Sequence, residues 1–180
     1  MEKLWAPWRL EYLGNNKVDP KKKEHCPFCQ AIKEQPSEQN LLLYSTEHSM
    51  VMMNKFPYNS YHLLVLPKDH HANPEDLNET EWQDLNTTLR KSYVILKNNL
   101  EKVGGFNMGL NLGKVGGGGL PGHLHYHIVP RWLGDTNFMP VLAEVKCLPE
   151  HMIQSYRKLK KLFDLNFNSD LNSTSTKGPL

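Results

Sequence analysis

The sequence predicts an α+β domain: an antiparallel sheet of about five strands, a long helix packed on one face and a second helix near the C-terminus. Three features carry this reading. Short apolar runs stand close together at residues 41–46, 50–54 and 61–67. A long amphipathic stretch covers residues 78–103. A period-two run at 106–113 leads through a glycine-rich segment into one more strand-like run.

Residues 1–24 form an N-terminal segment that begins with Trp5, Trp8 and Tyr12, aromatic rings that need burial on the body of the protein. The polar, basic run NNKVDPKKKEH follows and reads as a mobile loop. Cys26-Pro27-Phe28-Cys29 then turns into a short helix. The runs LLLYST, MVMMN and YHLLVLP are separated only by turn material, EHS and KFPYNS. Such short links favour antiparallel pairing, because a parallel crossover needs about a dozen residues.

Along 78–103, Trp82, Leu85, Leu89, Tyr93, Leu96 and Leu100 recur at steps of three or four and fall on one stripe. Asn78 and Glu81 have capping-box spacing, and Gly104-Gly105 would end the helix. Phe106, Met108, Leu110 and Leu112 alternate as in a strand, and HLHYHIVPRW forms the next one. A final helix is expected from Pro149 to about Phe163. The main domain then spans 25–165, and 166–180 form a polar tail with the composition of a disordered segment.

Composition narrows the function. The net charge of +2 over 180 residues argues against a basic nucleic-acid coat protein. No run approaches the ~18 apolar residues that span a bilayer. The N-terminus lacks the uninterrupted apolar core of a signal peptide. Three cysteines, two of them in C-x-x-C, fit a reducing, cytoplasmic setting and a metal or redox role better than a disulfide framework.

His123, His125 and His127 alternate, so a strand places all three on one face, with Leu124, Tyr126 and Ile128 on the other. A row of imidazoles is a poor packing stripe, but it can hold a metal, move protons or supply a nucleophile. The preceding GLNLGKVGGGGLPG holds seven glycines in fourteen residues. Glycine lets backbone N–H groups approach an anion, so the loop reads as an oxyanion or phosphate cradle. It matches neither the P-loop nor the dinucleotide fingerprint.

HLHYHIVPR resembles the histidine triad motif, and CPFC, NKFPYNSYHLLVLPKDH, the long helix and GLNLG follow the same family's order across residues 25–132. The sequence is thus identified as similar to the histidine triad (HIT) family. WAPWR and VPRWLGDTNFMP are similar to a bacterial branch that includes diadenosine tetraphosphate phosphorylases and hydrolases.

The resemblance implies a HIT-like fold and a nucleotidyl hydrolase or transferase acting on an adenine nucleotide polyphosphate. His125 would attack the α-phosphorus to give a covalent nucleotidyl-imidazole, released by water or phosphate. His127 would hydrogen-bond a phosphate oxygen or the departing group. His62 and Asn111 would face the phosphates, Asn54 would hold the ribose hydroxyls, and Phe56 would line the base pocket. Gly118 and Gly119 would offer backbone amides where many members carry a Gln-Ser or Gln-Thr pair. Structural zinc would be held by Cys26, Cys29, His70 and His123, with His71 competing for the place of His70. The resemblance also implies a homodimer.

Two readings from other classes compete with the enzyme. A nucleotide-binding or interaction protein with little turnover would be marked by loss of the central histidine, but His125 is present. A zinc-dependent nucleic-acid binder needs a basic face with stacking aromatics, which an isolated KKK run does not supply.

Overall fold

The computed structural model describes residues 26–135 and 150–173. The N-terminal aromatic segment and Cys147 lie outside the described residues. Five strands, β1 (Leu42–Ser45), β2 (Ser49–Met53), β3 (Leu63–Pro67), β4 (Gly105–Leu110) and β5 (Tyr126–Arg131), form one antiparallel sheet in the order β1-β2-β3-β5-β4. Helix α1 (Pro27–Ala31) precedes the sheet, α2 (Glu79–Asn99) joins β3 to β4, and α3 (Met152–Ser173) follows it.

The centre of the sheet is buried on both faces, which explains why β2 and β3 read as unbroken apolar runs rather than alternating ones. On one face, Val51, Met53, Leu63, Val65 and Ile128 pack with Leu85, Ile95 and Leu96 of α2 and Tyr156, Leu159 and Phe163 of α3. On the other, Met50, Met52, Leu64 and Leu66 pack with Cys26, Phe28, Cys29 and Ala31 of the α1 region. Register pairs Leu64 with His127, so the last triad histidine shares this second face.

The Asn78 cap forms as the sequence predicts: Asn78 Oδ1 accepts the Glu81 N–H at 3.0 Å, and a Glu81 carboxylate oxygen accepts the Asn78 N–H at 2.8 Å. The helix ends earlier than expected. Leu100 is already extended, and Lys102 takes a positive φ of 54° that turns the chain into β4. Its buried face is also shifted. Thr88 and Ser92 are buried beside Leu85, Ile95 and Leu96, whereas Leu89 and Tyr93 lie at the margin. Small hydroxyl residues let the helix approach the sheet, and Ser92 Oγ is satisfied by the Thr88 carbonyl at 2.7 Å.

The C-terminal expectation needs the larger correction. Helix α3 continues past Phe163 to Ser173, so the segment from 166 is not a disordered tail from its start. Phe167 is buried, stacked on Tyr44 at 4.1 Å, with Lys91 over its ring. One aromatic residue on the right helical face anchors a segment whose average composition is polar. Residues 174–180 lie outside the described residues. Among the described residues, no helix is long and apolar enough to cross a membrane.

Candidate active site

The histidine row is more buried than a solvated sheet face. His62 and His123 are almost fully enclosed, and His125 and His127 are buried. Only His127 belongs to β5, while His123 and His125 lead into it. The alternation still holds. Leu124 and Ile128 enter the helix-side core, and Tyr126 packs against it.

Hydrogen-bond partners assign each imidazole its tautomer. Nδ1 of His125 lies 2.7 Å from the His123 carbonyl, which can only accept. The proton is therefore on Nδ1, and Nε2 keeps a lone pair. Likewise, His123 Nε2 donates to the Pro67 carbonyl at 2.9 Å, leaving the Nδ1 lone pair free to bind a cation.

His62 and His127 form a second chain. His62 Nδ1 accepts the Tyr58 N–H at 3.0 Å, and Asn54 Nδ2 stands 3.3 Å from the same atom. An imidazole accepting at both nitrogens would be an anion, so His62 Nε2 carries the proton and donates to His127 Nδ1 at 2.9 Å. His127 must then hold its own proton on Nε2. Asn111 Nδ2 lies 3.4 Å from that atom, and two N–H groups do not bond one another. A half-turn of the Asn111 amide presents its oxygen to this N–H instead.

Burial pushes the His125 pKa down, opposed by its bond to the His123 carbonyl. Burial, with a smaller contribution from His125, lowers His127 to about 4. Both rings are neutral near pH 7. The site thus presents one imidazole with a free Nε2 lone pair, His125, beside one with an Nε2–H to give, His127. This is the donor and nucleophile pair that a displacement at phosphorus requires.

The predicted metal set also converges. Cys26 Sγ lies 3.4 Å from His123 Nδ1, Cys29 Sγ lies 3.6 Å from it, and Cys29 Sγ lies 3.2 Å from His70 Nδ1. All four ligand atoms fall within 4.8 Å of one another. Tetrahedral zinc with bonds of about 2.0–2.3 Å separates its ligands by about 3.5 Å, so the donor set fits. His71 is resolved against: its Nε2 turns to Glu81 Oε1 at 3.4 Å instead.

Other predicted residues are placed less directly. Asn54 Oδ1 accepts the Phe56 N–H at 2.9 Å, so this side chain shapes the β2–β3 turn while touching His62. Phe56 is 66% exposed, unlike the wall of a closed pocket. Gly118 corrects the expectation of a free backbone donor: its N–H is taken by the Gly113 carbonyl at 3.2 Å. Its glycine character is steric, since a Cβ there would come within 2.9 Å of the Asn111 carbonyl. Gly119 is half-buried beside it. The cleft of about 560 Å³ lined by Tyr61, Trp132, Glu150 and Lys158 contains none of these histidines.

Sequence reasoning overlooked two aromatic residues that touch the histidines. Tyr58 stacks on His127 with ring centres 5.5 Å apart, and Phe28 packs its ring on both His123 and His125. Tyr58 looked like turn material and Phe28 like a spacer between cysteines. Their proximity arises from tertiary contact alone. A third feature, Asn59, ties the β2–β3 loop to the end of β5 by donating to the Pro130 carbonyl at 3.1 Å and to Asp135 at 2.7 Å.

Comparison with known proteins agrees with this geometry. Residues 35–132 match the family model described as HIT domain. The chain is 34% identical over 162 residues to a Mycobacterium tuberculosis protein named AP-4-A phosphorylase, covering 88% of this chain and 82% of the relative. A histidine triad nucleotide-binding protein from Sulfolobus tokodaii, described as hypothetical, superposes with a TM-score of 0.62 at 26% identity, over 80% of this chain and 93% of that one. A zinc-bound histidine triad family protein from Mycobacterium smegmatis shares the fold, with a TM-score of 0.63 at 20% identity over 82% and 99% of the two chains. With the triad, the strand order and the family model in agreement, the chain belongs to the HIT family and is a HIT-type enzyme.

Proposed function

We propose that the protein cleaves an adenine nucleotide polyphosphate such as diadenosine tetraphosphate, through a covalent nucleotidyl-His125 intermediate. The observation that carries this reading is the bond from His125 Nδ1 to the His123 carbonyl, which aims a neutral Nε2 lone pair outward from a rigid chain segment. In the first step, Nε2 forms a bond to the α-phosphorus while the bond to the bridging oxygen breaks. His127 Nε2–H lies beside the same ring, where it can donate to the departing oxygen. In the second step, an acceptor oxygen takes the nucleotidyl group and His125 is restored.

Similarity to AP-4-A phosphorylase favours inorganic phosphate as that acceptor, with water as the alternative. The nucleotide contacts assigned to Asn54, Phe56, His62, Asn111 and Gly119 belong to this proposal, while Gly118, its N–H taken by the Gly113 carbonyl, would shape the loop. So does zinc on Cys26, Cys29, His70 and His123, supported by their spacing. Four protein ligands leave no open position, so zinc there would be structural and supply no Lewis acid to the substrate.

Two further parts complete the proposal. A reducing, cytoplasmic setting suits Cys26 and Cys29, which are not joined in a disulfide. A homodimer suits β4, an edge strand whose Asn107, Met108 and Gly109 are exposed to a second copy.

The test is phosphorus NMR of diadenosine tetraphosphate with the protein and inorganic phosphate. ADP plus ATP establishes phosphate as acceptor, and AMP plus ATP establishes water. Unchanged substrate that nonetheless binds would favour the binding-protein reading instead.

A further inference from the structure

Phe28 sits between the two cysteines of the C-P-F-C knuckle and is 6% exposed. Its ring centre lies 5.4 Å from that of His123 at an interplanar angle of 88°, and 5.3 Å from that of His125 at 61°. On another side of His125 stands His127, with ring centres 5.0 Å apart at 62°. The His125 ring therefore meets the inclined Phe28 ring, an imidazole from His127, and the His123 carbonyl at Nδ1.

A single hydrogen bond at Nδ1 leaves an imidazole free to swing about that contact. Flanking rings remove that freedom, and edge-to-face contacts favour a defined tilt. The location of Phe28 adds a second relationship. The cysteines on either side of it approach His70 and His123, and His123 in turn accepts the proton of His125 through its carbonyl. One knuckle thus reaches the His125 ring by two routes, through Phe28 directly and through His123.

We infer that Phe28 is a positioning residue for His125: the Cys26–Cys29 knuckle presses its ring against the imidazole and holds Nε2 in line for attack. The inference rests on the proposed role of His125 as nucleophile. It assigns the knuckle a part in catalysis apart from metal binding, since the residue doing the positioning is not a ligand. In-line displacement depends on how the attacking atom is aligned, so loosening the ring should slow the chemical step and leave substrate binding intact.

The experiment compares wild type, Phe28→Leu and Phe28→Ala as full chains. Four quantities are read: kcat and KM for diadenosine tetraphosphate, zinc content, and the nitrogen NMR spectrum of the histidine rings. Phe28→Ala should lower kcat about tenfold, with KM within about twofold of wild type and zinc retained. Its His125 signals should change from a single Nδ1–H tautomer to an exchange-averaged ring. Phe28→Leu, which keeps the apolar volume but not the flat ring edge, should fall between the two and decides the matter if the alanine variant does not fold.

Unchanged kcat in both variants overturns the inference. A loss of kcat that only tracks loss of zinc also overturns it, because Phe28 would then merely fill the metal site. If wild type turns over no nucleotide, the functional proposal fails, and the ring spectra alone judge Phe28. An identical His125 spectrum in all three proteins would then refute its positioning role.

Discussion

His62 Nε2 stands 2.9 Å from His127 Nδ1, and the Tyr58 N–H at the other nitrogen of His62 dictates which of the two rings donates. A proton fixed on one buried ring thereby fixes the proton on the next. If this relay prepares His127 as a donor to the leaving group, His62→Phe should lower kcat by about 10- to 100-fold. His62→Gln, which can still donate, should recover part of the loss. The defect should shrink for an adenylyl ester with a good leaving group, which needs no protonation. Equal losses across leaving groups would show that His62 acts only in packing.

His125→Ala removes the nucleophile but no element of the sheet. Turnover of diadenosine tetraphosphate should fall by about 10⁴-fold or more. Nucleotide affinity, measured by calorimetry, should stay within a few-fold. Wild-type protein quenched during turnover should carry one adenylyl group by mass, and the variant none. A wild type that turns over rapidly yet never carries the adduct would favour direct attack by the acceptor.

Much of this arrangement was legible in the sequence, for reasons that are local. Period two put His123, His125 and His127 on one face, and C-x-x-C spacing marked a metal knuckle. The Asn78 cap was legible because both partners lie within one helical turn. What escaped depends on contacts distant in the chain. His70 was already named as the ligand, but what turns its competitor His71 away, the Glu81 carboxylate, emerges only in the fold. The continuation of α3 follows from Tyr44 stacking on Phe167. The Gly118 N–H was assigned to substrate because its partner, the Gly113 carbonyl, becomes apparent only once the loop is folded.

Stability should depend on pH through His127. Burial holds its pKa near 4 in the fold, against an ordinary value of 6.5. Between those two values the unfolded chain binds a proton that the folded chain refuses. Stability is therefore full above about pH 6.5 and declines as pH falls toward 4, where the dependence on this group levels off. The full shift corresponds to about 3 kcal/mol. Urea unfolding from pH 7 to 4.5 should show the decline, and His127→Gln should flatten it. An equally steep decline in the variant would assign the effect to other groups.

Metal removal should act on the fold through the knuckle. Cys26→Ser, Cys29→Ser and His70→Gln should each purify with little zinc, whereas His71→Gln should retain it. The ligand variants should lose about 10 °C in Tm, corresponding to roughly 3 kcal/mol in a chain of this size. Zinc content measured by atomic absorption, beside thermal unfolding, checks both expectations. Zinc retained in His70→Gln and lost in His71→Gln would reverse the assignment.

Gly118→Ala tests the tight point of the loop that lies against Asn111. The added Cβ would lie 2.9 Å from the Asn111 carbonyl and 3.1 Å from that of Gly113, both backbone atoms that cannot rotate away. The loop must shift, at a cost of about 1–3 kcal/mol. The shift carries Asn111, whose carboxamide faces His127 Nε2 at 3.4 Å. Activity should fall several-fold more than in Gly109→Ala, where a Cβ meets nothing within 4 Å. Zinc should remain bound in both, since neither glycine adjoins the knuckle ligands in sequence. Kinetics of the pair, with zinc content as control, would show whether the tight turn at Gly118 sets the distance from Asn111 to His127. Equal activities would confine the glycine's role to folding the loop.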